Sequence, residues 1–441
     1  MSLSVSVFGL GYVGSVSAAC FASMGHRVIG VDVSRAKVEM MASGRSPIIE
    51  ARMSELIAEA KQARRLHATT DATEAVLNSE VSFVCVGTPS LKNGKLDLSH
   101  IEHVAKEIGA AIRQKKSPHV FVLRSTVLPG TTENVALPIL EKESGKQNGR
   151  DFTVCYNPEF MREGSAVADF LQPPYTILGA RDSVHLAPLR ELYKGPPGTL
   201  YETTIPIAEM VKYYSNCYHA LKVGFANEMG TMCKHLGVDA QAVTKIFTSD
   251  TKLNVSAAYL SPGFAFGGSC LPKDLRAITY KAKELDLKLP LLESLMPSNA
   301  EHVDRAVEMV MSTGKKKIAQ LGLSFKAGTD DLRESPQVQL IKRLMGEGLE
   351  VRVWDEDVSL GRLAGSNRQY IEEVIPHIGS VLSADLEAVL RGAEVVILGN
   401  KSANRELLAR YLRPEQIVID LVHLDPARRP QGAKTYDGIC W

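Results

Sequence analysis

The chain has no Cys-x-x-Cys pair, no excess of either charge and no tandem repeat. Its seven cysteines, at 20, 85, 155, 217, 233, 270 and 440, are an odd number. That argues against a disulfide framework or a zinc site, so no metal is expected and a reducing cytoplasm fits best. Lys+Arg of 51 against Asp+Glu of 50 leaves a net charge of +1, which gives no electrostatic case for nucleic acid or an anionic membrane surface. No run reaches the roughly 18 apolar residues needed to span a bilayer. The apolar opening lacks the basic start of a signal peptide. What is present is a soluble composition, 45% hydrophobic and 23% charged, over 441 residues. That length exceeds one ordinary core and predicts two or three domains.

A β-branched strand at 4–8 runs into Gly9, Gly11 and Gly14, then a helix to about Met24, then a strand closing on Asp32. This βαβ unit matches the dinucleotide fingerprint. Gly9 permits the tight turn, Gly11 lets a pyrophosphate approach the backbone, and Gly14 packs helix against strand. Asp32 is placed to accept from the adenosine ribose hydroxyls and to select NAD over NADP, with Arg35 close enough to soften the choice. Strands at 81–87 and 119–126 alternate with helices, which predicts a doubly wound parallel sheet. A helical region from Pro206 to just before Gly237 reads as a spine joining two domains. From 315 the alternation resumes as a second α/β domain, without a Gly-x-Gly-x-x-Gly.

On the long helix Lys212, Asn216 and His219 fall within roughly 60° of one another, with Asn227 close to the same face. A polar stripe usually faces solvent. Here most neighbouring positions are apolar or aromatic, so a Lys and an Asn on a buried stripe need partners. Cys270 follows Gly267-Gly268-Ser269, with Pro272 suited to a first helical turn and Lys273 beside it. A helix N-terminus and a nearby cation both favour a thiolate, and Asp274 supplies a carboxylate that could steer water. Together with a dinucleotide site, this suggests covalent oxidation of an aldehyde. Glu159 and Glu163 read as a surface pair one helical turn apart. Lys326 and Arg333, in the charged loop 325–335, either meet phosphates or pair with Asp330 and Asp331.

These stretches, "FGLGYVG", "VGTP", "RSTVLPGTT", "NPEF.REG", "FGGSCLPKD" and "FKAGTDDLRESP", resemble the UDP-glucose/GDP-mannose dehydrogenase family over nearly the whole chain. The resemblance implies two Rossmann-like doubly wound α/β domains joined by a long central helix and a helical dimerisation region. The implied parts are an NAD-binding domain at 1–203, a central dimerisation region with the cysteine loop at 204–300, and a sugar-nucleotide domain at 301–441. It implies a homodimer acting on a sugar nucleotide and oxidising its C6 alcohol to a carboxylate with two NAD.

By family motif, Cys270 attacks the aldehyde, Lys212 and Asn216 hold the oxyanion, Thr126 and Asp274 position water, and Glu163 assists proton transfer or holds sugar. Gly9, Gly11, Tyr12, Val13, Gly14, Asp32, Lys37, Thr88, Thr126, Lys273 and Arg333 are the implied NAD contacts. Glu163, Lys212, Asn216, His219, Asn227, Tyr259, Phe264 and Lys326 are the implied sugar-nucleotide contacts. "SPIIE", "GFAFGGSCLPKD" and the terminal "GICW" are similar to the GDP-mannose branch, with UDP-glucose the alternative substrate. The stretch Ala257-Ala258-Tyr259-Leu260-Ser261 departs from that branch, offering one aromatic and no arginine where two aromatics and an arginine are usual.

Overall fold

The computed structural model describes residues 2–251, 259, 261–358, 365–376, 378–402, 405–424 and 435–440. Ala258, one of the two departures, lies outside them. The chain divides into two compact units, one ending at Ser215 and the other beginning at Asn216.

The first unit is built on eight strands: β1 (Ser4–Phe8), β2 (Arg27–Val31), β3 (Leu66–Thr69), β4 (Val81–Val84), β5 (His119–Leu123), β6 (Phe152–Tyr156), β7 (Tyr175–Gly179) and β8 (Thr199–Thr203). They form one sheet in the order β3-β2-β1-β4-β5-β6-β7-β8. Every pairing is parallel except β6 with β7, which meet antiparallel at Tyr156 and Gly179. The strand–helix alternation of the sequence does not predict that reversal.

β1, β4 and β5 are buried along their whole length, because helices cover both sheet faces. On β5, Val120 and Val122 join one apolar cluster and Phe121 and Leu123 the other, as the two-residue period of a strand requires.

In the second unit β9 (Lys317–Leu321), β10 (Glu350–Trp354), β11 (Val395–Leu398), β12 (Ile417–Asp420) and β13 (Thr435–Gly438) pair in the order β10-β9-β11-β12-β13, all parallel. Val395 and Ile397 face one core, Val396 and Leu398 the other. In both sheets the strand order reverses beside the first strand, between β1 and β4 and between β9 and β11. Open α/β sheets bind ligands outside the carboxyl ends of the strands at such reversals.

The Ile205–His235 helix contains the boundary between the units, so the spine expected from the sequence is one continuous helix.

Candidate active site

The glycine turn follows β1, Asp32 follows β2, Thr88 follows β4, and Thr126 follows β5. All four therefore stand at the carboxyl edge of the first sheet, around its reversal. Gly9 has φ +92°, and a Cβ on Gly14 would lie 1.7 Å from the Gly9 carbonyl oxygen. These two glycines are required by the protein's own backbone. A Cβ on Gly11 meets no protein atom within 4 Å, so packing does not explain that glycine, whereas a pyrophosphate resting on the backbone does. The Asp32 carboxylate accepts from the Leu10 N–H at 2.7 Å and the Ser34 N–H at 2.8 Å, with the Lys37 ammonium 3.4 Å away. The turn thus holds the acidic residue in place, and the residues present fit a dinucleotide. The Thr88 hydroxyl donates to the Thr126 carbonyl at 2.9 Å, linking the loops after β4 and β5.

Tyr12 and Val13 open the Tyr12–Ser23 helix. Val13 packs on the core, and Tyr12 donates to the buried carboxylate of Glu50. Glu50 also accepts from the Gly164 and Ala166 N–H groups, at 2.7 and 3.2 Å. It therefore ties the start of this helix to the loop that carries Glu163.

Lys212 is buried, and its ammonium lies 2.8 Å from the Glu159 carboxylate, also buried. This overturns the expected Glu159–Glu163 surface pair. Residues 157–163 form no helical turn, and Glu159 points inward while Glu163 stays partly exposed. Burial opposes ionisation of Glu159. The Lys212 charge and hydrogen bond outweigh it, helped by Arg124 and the Met161 N–H, and hold its pKa below the usual carboxylate range. Arg124 is itself buried and donates to Asn157 and to the Tyr193 hydroxyl. Near the start of the long helix, buried Glu209 accepts from Gly130 N–H at 2.7 Å, Thr132 N–H at 3.0 Å and the Thr132 hydroxyl at 2.6 Å. That anchors the loop that follows Thr126.

In the second unit Cys270 caps the Leu271–Glu284 helix, with Pro272 in its first turn. None of the seven cysteines is in a disulfide, and Cys270 alone is exposed. Burial pushes the thiols of Cys20, Cys85, Cys155 and Cys217 up to about 12, which leaves them inert as nucleophiles. Asp274 is 1% exposed, accepts from the Asn216 side-chain amide, and has the Lys273 ammonium 2.8 Å from its other oxygen. Lys273 is therefore engaged by Asp274. His219 stacks on Tyr259 with ring centroids 4.3 Å apart. Asn227 hydrogen-bonds the backbone of Gly263 and Phe264, and Phe264 is buried in the core.

Lys326 is exposed on the loop after β9. Arg333 meets Asp331 through two bonds of 2.9 and 2.6 Å. The sequence conceals a second turn of the same design. Gly322 has φ +100° and donates to the Trp354 carbonyl, as Gly9 does to Val31. Asp355 accepts from the Leu323 N–H at 2.6 Å, as Asp32 does from Leu10. Asp355 is buried and also receives the Ser324 N–H and the Asn400 amide. Its carboxylate is thus satisfied within the protein.

Residues 3–195, 207–301 and 319–424 match, in order, the NAD binding, central and UDP binding domains of the UDP-glucose/GDP-mannose dehydrogenase family. The chain belongs to this family. It is an NAD-dependent nucleotide-sugar dehydrogenase, and the glycine turn and Asp32 lie within the family's NAD binding domain. Among its relatives, the GDP-mannose 6-dehydrogenase of Pseudomonas aeruginosa is 48% identical over 437 residues, 99% of this chain and 100% of that protein. A solved UDP-glucose dehydrogenase from the hyperthermophilic archaeon Pyrobaculum islandicum is 34% identical, with a TM-score of 0.90 over 100% of this chain and 98% of that one. A ternary complex of GDP-mannose dehydrogenase from Pseudomonas aeruginosa is 47% identical over 99% of this chain and 100% of that one, with a TM-score of 0.57.

Among the described residues no helix is long and apolar enough to cross a membrane, and no group of three His, Cys, Asp or Glu could hold a metal ion.

Proposed function

We propose that this dehydrogenase oxidises the C6 alcohol of GDP-mannose to the carboxylate of GDP-mannuronic acid. The observation that carries the substrate is the 48% full-length identity to a GDP-mannose 6-dehydrogenase, against 34% to a UDP-glucose dehydrogenase. The balance is one primary alcohol, one water and two NAD giving one carboxylate, two NADH and three protons. Gly9, Gly11, Tyr12, Val13, Gly14, Asp32, Lys37, Thr88 and Thr126 would hold NAD, which would supply the hydride acceptor for each oxidation. Lys273 and Arg333 complete the proposed NAD contacts, each of them also paired with a neighbouring carboxylate.

Cys270 adds to the aldehyde carbon to form a thiohemiacetal, which is oxidised to a thioester. Water then cleaves the thioester and returns the thiol. Lys212 and Asn216 stand one turn apart on one helix and stabilise the charge developing on the C6 oxygen, where fixed donors are worth several kcal/mol. Glu159 orients Lys212 through their ion pair. Asp274, oriented by Asn216 and Lys273, directs the hydrolytic water, a role that Thr126 shares. Glu163, Lys212, Asn216, His219, Asn227, Tyr259, Phe264 and Lys326 are the proposed sugar-nucleotide contacts.

A side-by-side assay of GDP-mannose and UDP-glucose at equal concentration should give faster NADH formation with GDP-mannose, and the reverse order would reassign the substrate. The exposed Ser261 stands where the branch has an arginine. Losing one charge-assisted contact costs about 1.5–3 kcal/mol, so KM should be raised without a change of base. Repeating the assay with NADP checks Asp32: comparable kcat/KM would remove its selective role.

The three-part division at 1–203, 204–300 and 301–441 is retained as part of this reading, as is a cytoplasmic setting, which seven cysteines outside any disulfide support. The active form is a homodimer. Ile207, Met210, Tyr214, Tyr218, Phe225 and Met229 form one exposed apolar stripe on the long helix, away from Lys212 and Asn216, and Ile246 on the Ala240–Ser249 helix is 74% exposed. So many large apolar residues along one face mark an association surface. Their repeat along the helix suits a second copy of the same chain. Analytical ultracentrifugation should find a dimer that Tyr214→Glu with Ile246→Glu converts to monomer; a monomeric wild type or a dimeric variant would refute it.

A further inference from the structure

The segment 263–269 delivers Cys270 to its helix, yet it belongs to no strand or helix. Its backbone polar groups must find partners elsewhere. Two asparagines provide them. Asn299, on the Pro290–Ser312 helix, accepts from the Phe266 N–H at 2.8 Å and donates to the Phe266 carbonyl at 2.9 Å. Asn227, on the Ile205–His235 helix, accepts from the Gly263 N–H at 3.0 Å and donates to the Phe264 carbonyl at 3.1 Å. Each side-chain amide thus meets one N–H and one C=O, as a neighbouring strand would. The His302 imidazole lies 2.6 Å from the Gly263 carbonyl oxygen.

The last residues before the cysteine are confined in a different way. A Cβ on Gly267 would lie 2.4 Å from the Glu334 carbonyl oxygen, and one on Gly268, at φ +86°, 3.1 Å from the Phe325 ring. Backbone and ring close this side of the segment. Asn299 holds Phe266, the residue immediately before that glycine pair and four before Cys270.

We infer that Asn299, together with Asn227, is a positioning residue that sets the register of the 263–269 segment and thereby the placement of the Cys270 thiol. The inference rests on Cys270 being the nucleophile. A slip of this segment moves the sulfur relative to the aldehyde carbon, and a displacement of about 1 Å can cost on the order of 100-fold in rate. The first oxidation does not need the thiol. Misplacing the thiol should therefore uncouple the two oxidations, whereas a general loss of folded enzyme lowers both together.

The test is Asn299→Asp in the full-length enzyme. It keeps the shape and the acceptor but sets a carboxylate oxygen against the Phe266 carbonyl. Acid formation should fall roughly 10–100-fold with KM little changed. NADH per sugar nucleotide should drop below two, with free aldehyde trapped by a hydrazine. Alkylation of Cys270 by iodoacetamide, read by peptide mass spectrometry, should change rate in step. Stoichiometry of two with unchanged alkylation would overturn the inference. Should the variant fail to fold, hydrogen exchange of wild-type enzyme still decides: the Phe266 amide should be protected, and free exchange there refutes the clamp. Acid made by Cys270→Ala would instead sink the nucleophile reading, whatever Asn299 does.

Discussion

Replacing Cys270 by alanine should abolish acid formation, by roughly 10³-fold or more, and leave folding and NAD binding intact. The side chain is exposed, so stability should change little. Without the sulfur there is no thiohemiacetal to oxidise, and water must hydrate a free aldehyde instead. The buried cysteines cannot substitute, because burial raises the thiols of Cys20, Cys85, Cys155 and Cys217 to about 12. NADH and uronate measured together check this, and near wild-type uronate from Cys270→Ala would sink the covalent mechanism.

Removing the Lys212 ammonium should have two separable effects. Lys212→Ala should lower kcat by about 10²–10³-fold, the usual cost of losing one oxyanion donor. It should also destabilise the fold by about 3–5 kcal/mol, because Glu159 is left as a buried, uncompensated carboxylate. The double change Lys212→Met with Glu159→Gln removes both charges. Thermal denaturation should show most of the stability restored while kcat stays low. Recovery of kcat along with Tm would place Lys212 among purely structural residues.

The Lys212–Glu159 pair also shows where the sequence stops being informative. Lys212 can be picked out because a charged residue on an apolar helix needs a reason to be there. Its partner cannot, since Glu159 and Glu163 have identical chemistry and spacing alone makes them look like a surface pair. Which one turns inward depends on the 157–163 segment forming no helical turn and on Met161 N–H meeting Glu159 at 2.8 Å. Asn227 shows the same limit. Its position on the helical stripe is legible in the sequence, but its bonds to the backbone of the cysteine loop are not.

By itself, the sequence determined the features governed by short-range sterics and periodicity. The Gly9–Gly14 turn, the helix beginning after Cys270 and the strands at 4–8, 27–31 and 119–123 follow from local backbone preference and apolar pattern. The long motif matches likewise carried the family. Tertiary structure alone decided which side chains meet across long separations in sequence. Asn299 reaches Phe266, Glu209 holds the loop at 130–132, Glu50 joins Tyr12 to the Glu163 loop, and Asp331 takes Arg333. It also decided that Cys270 is the one exposed thiol. The physical reason is that burial and hydrogen-bond satisfaction depend on what packs around a residue. Local sequence sets that environment only where the partners are its near neighbours in the chain.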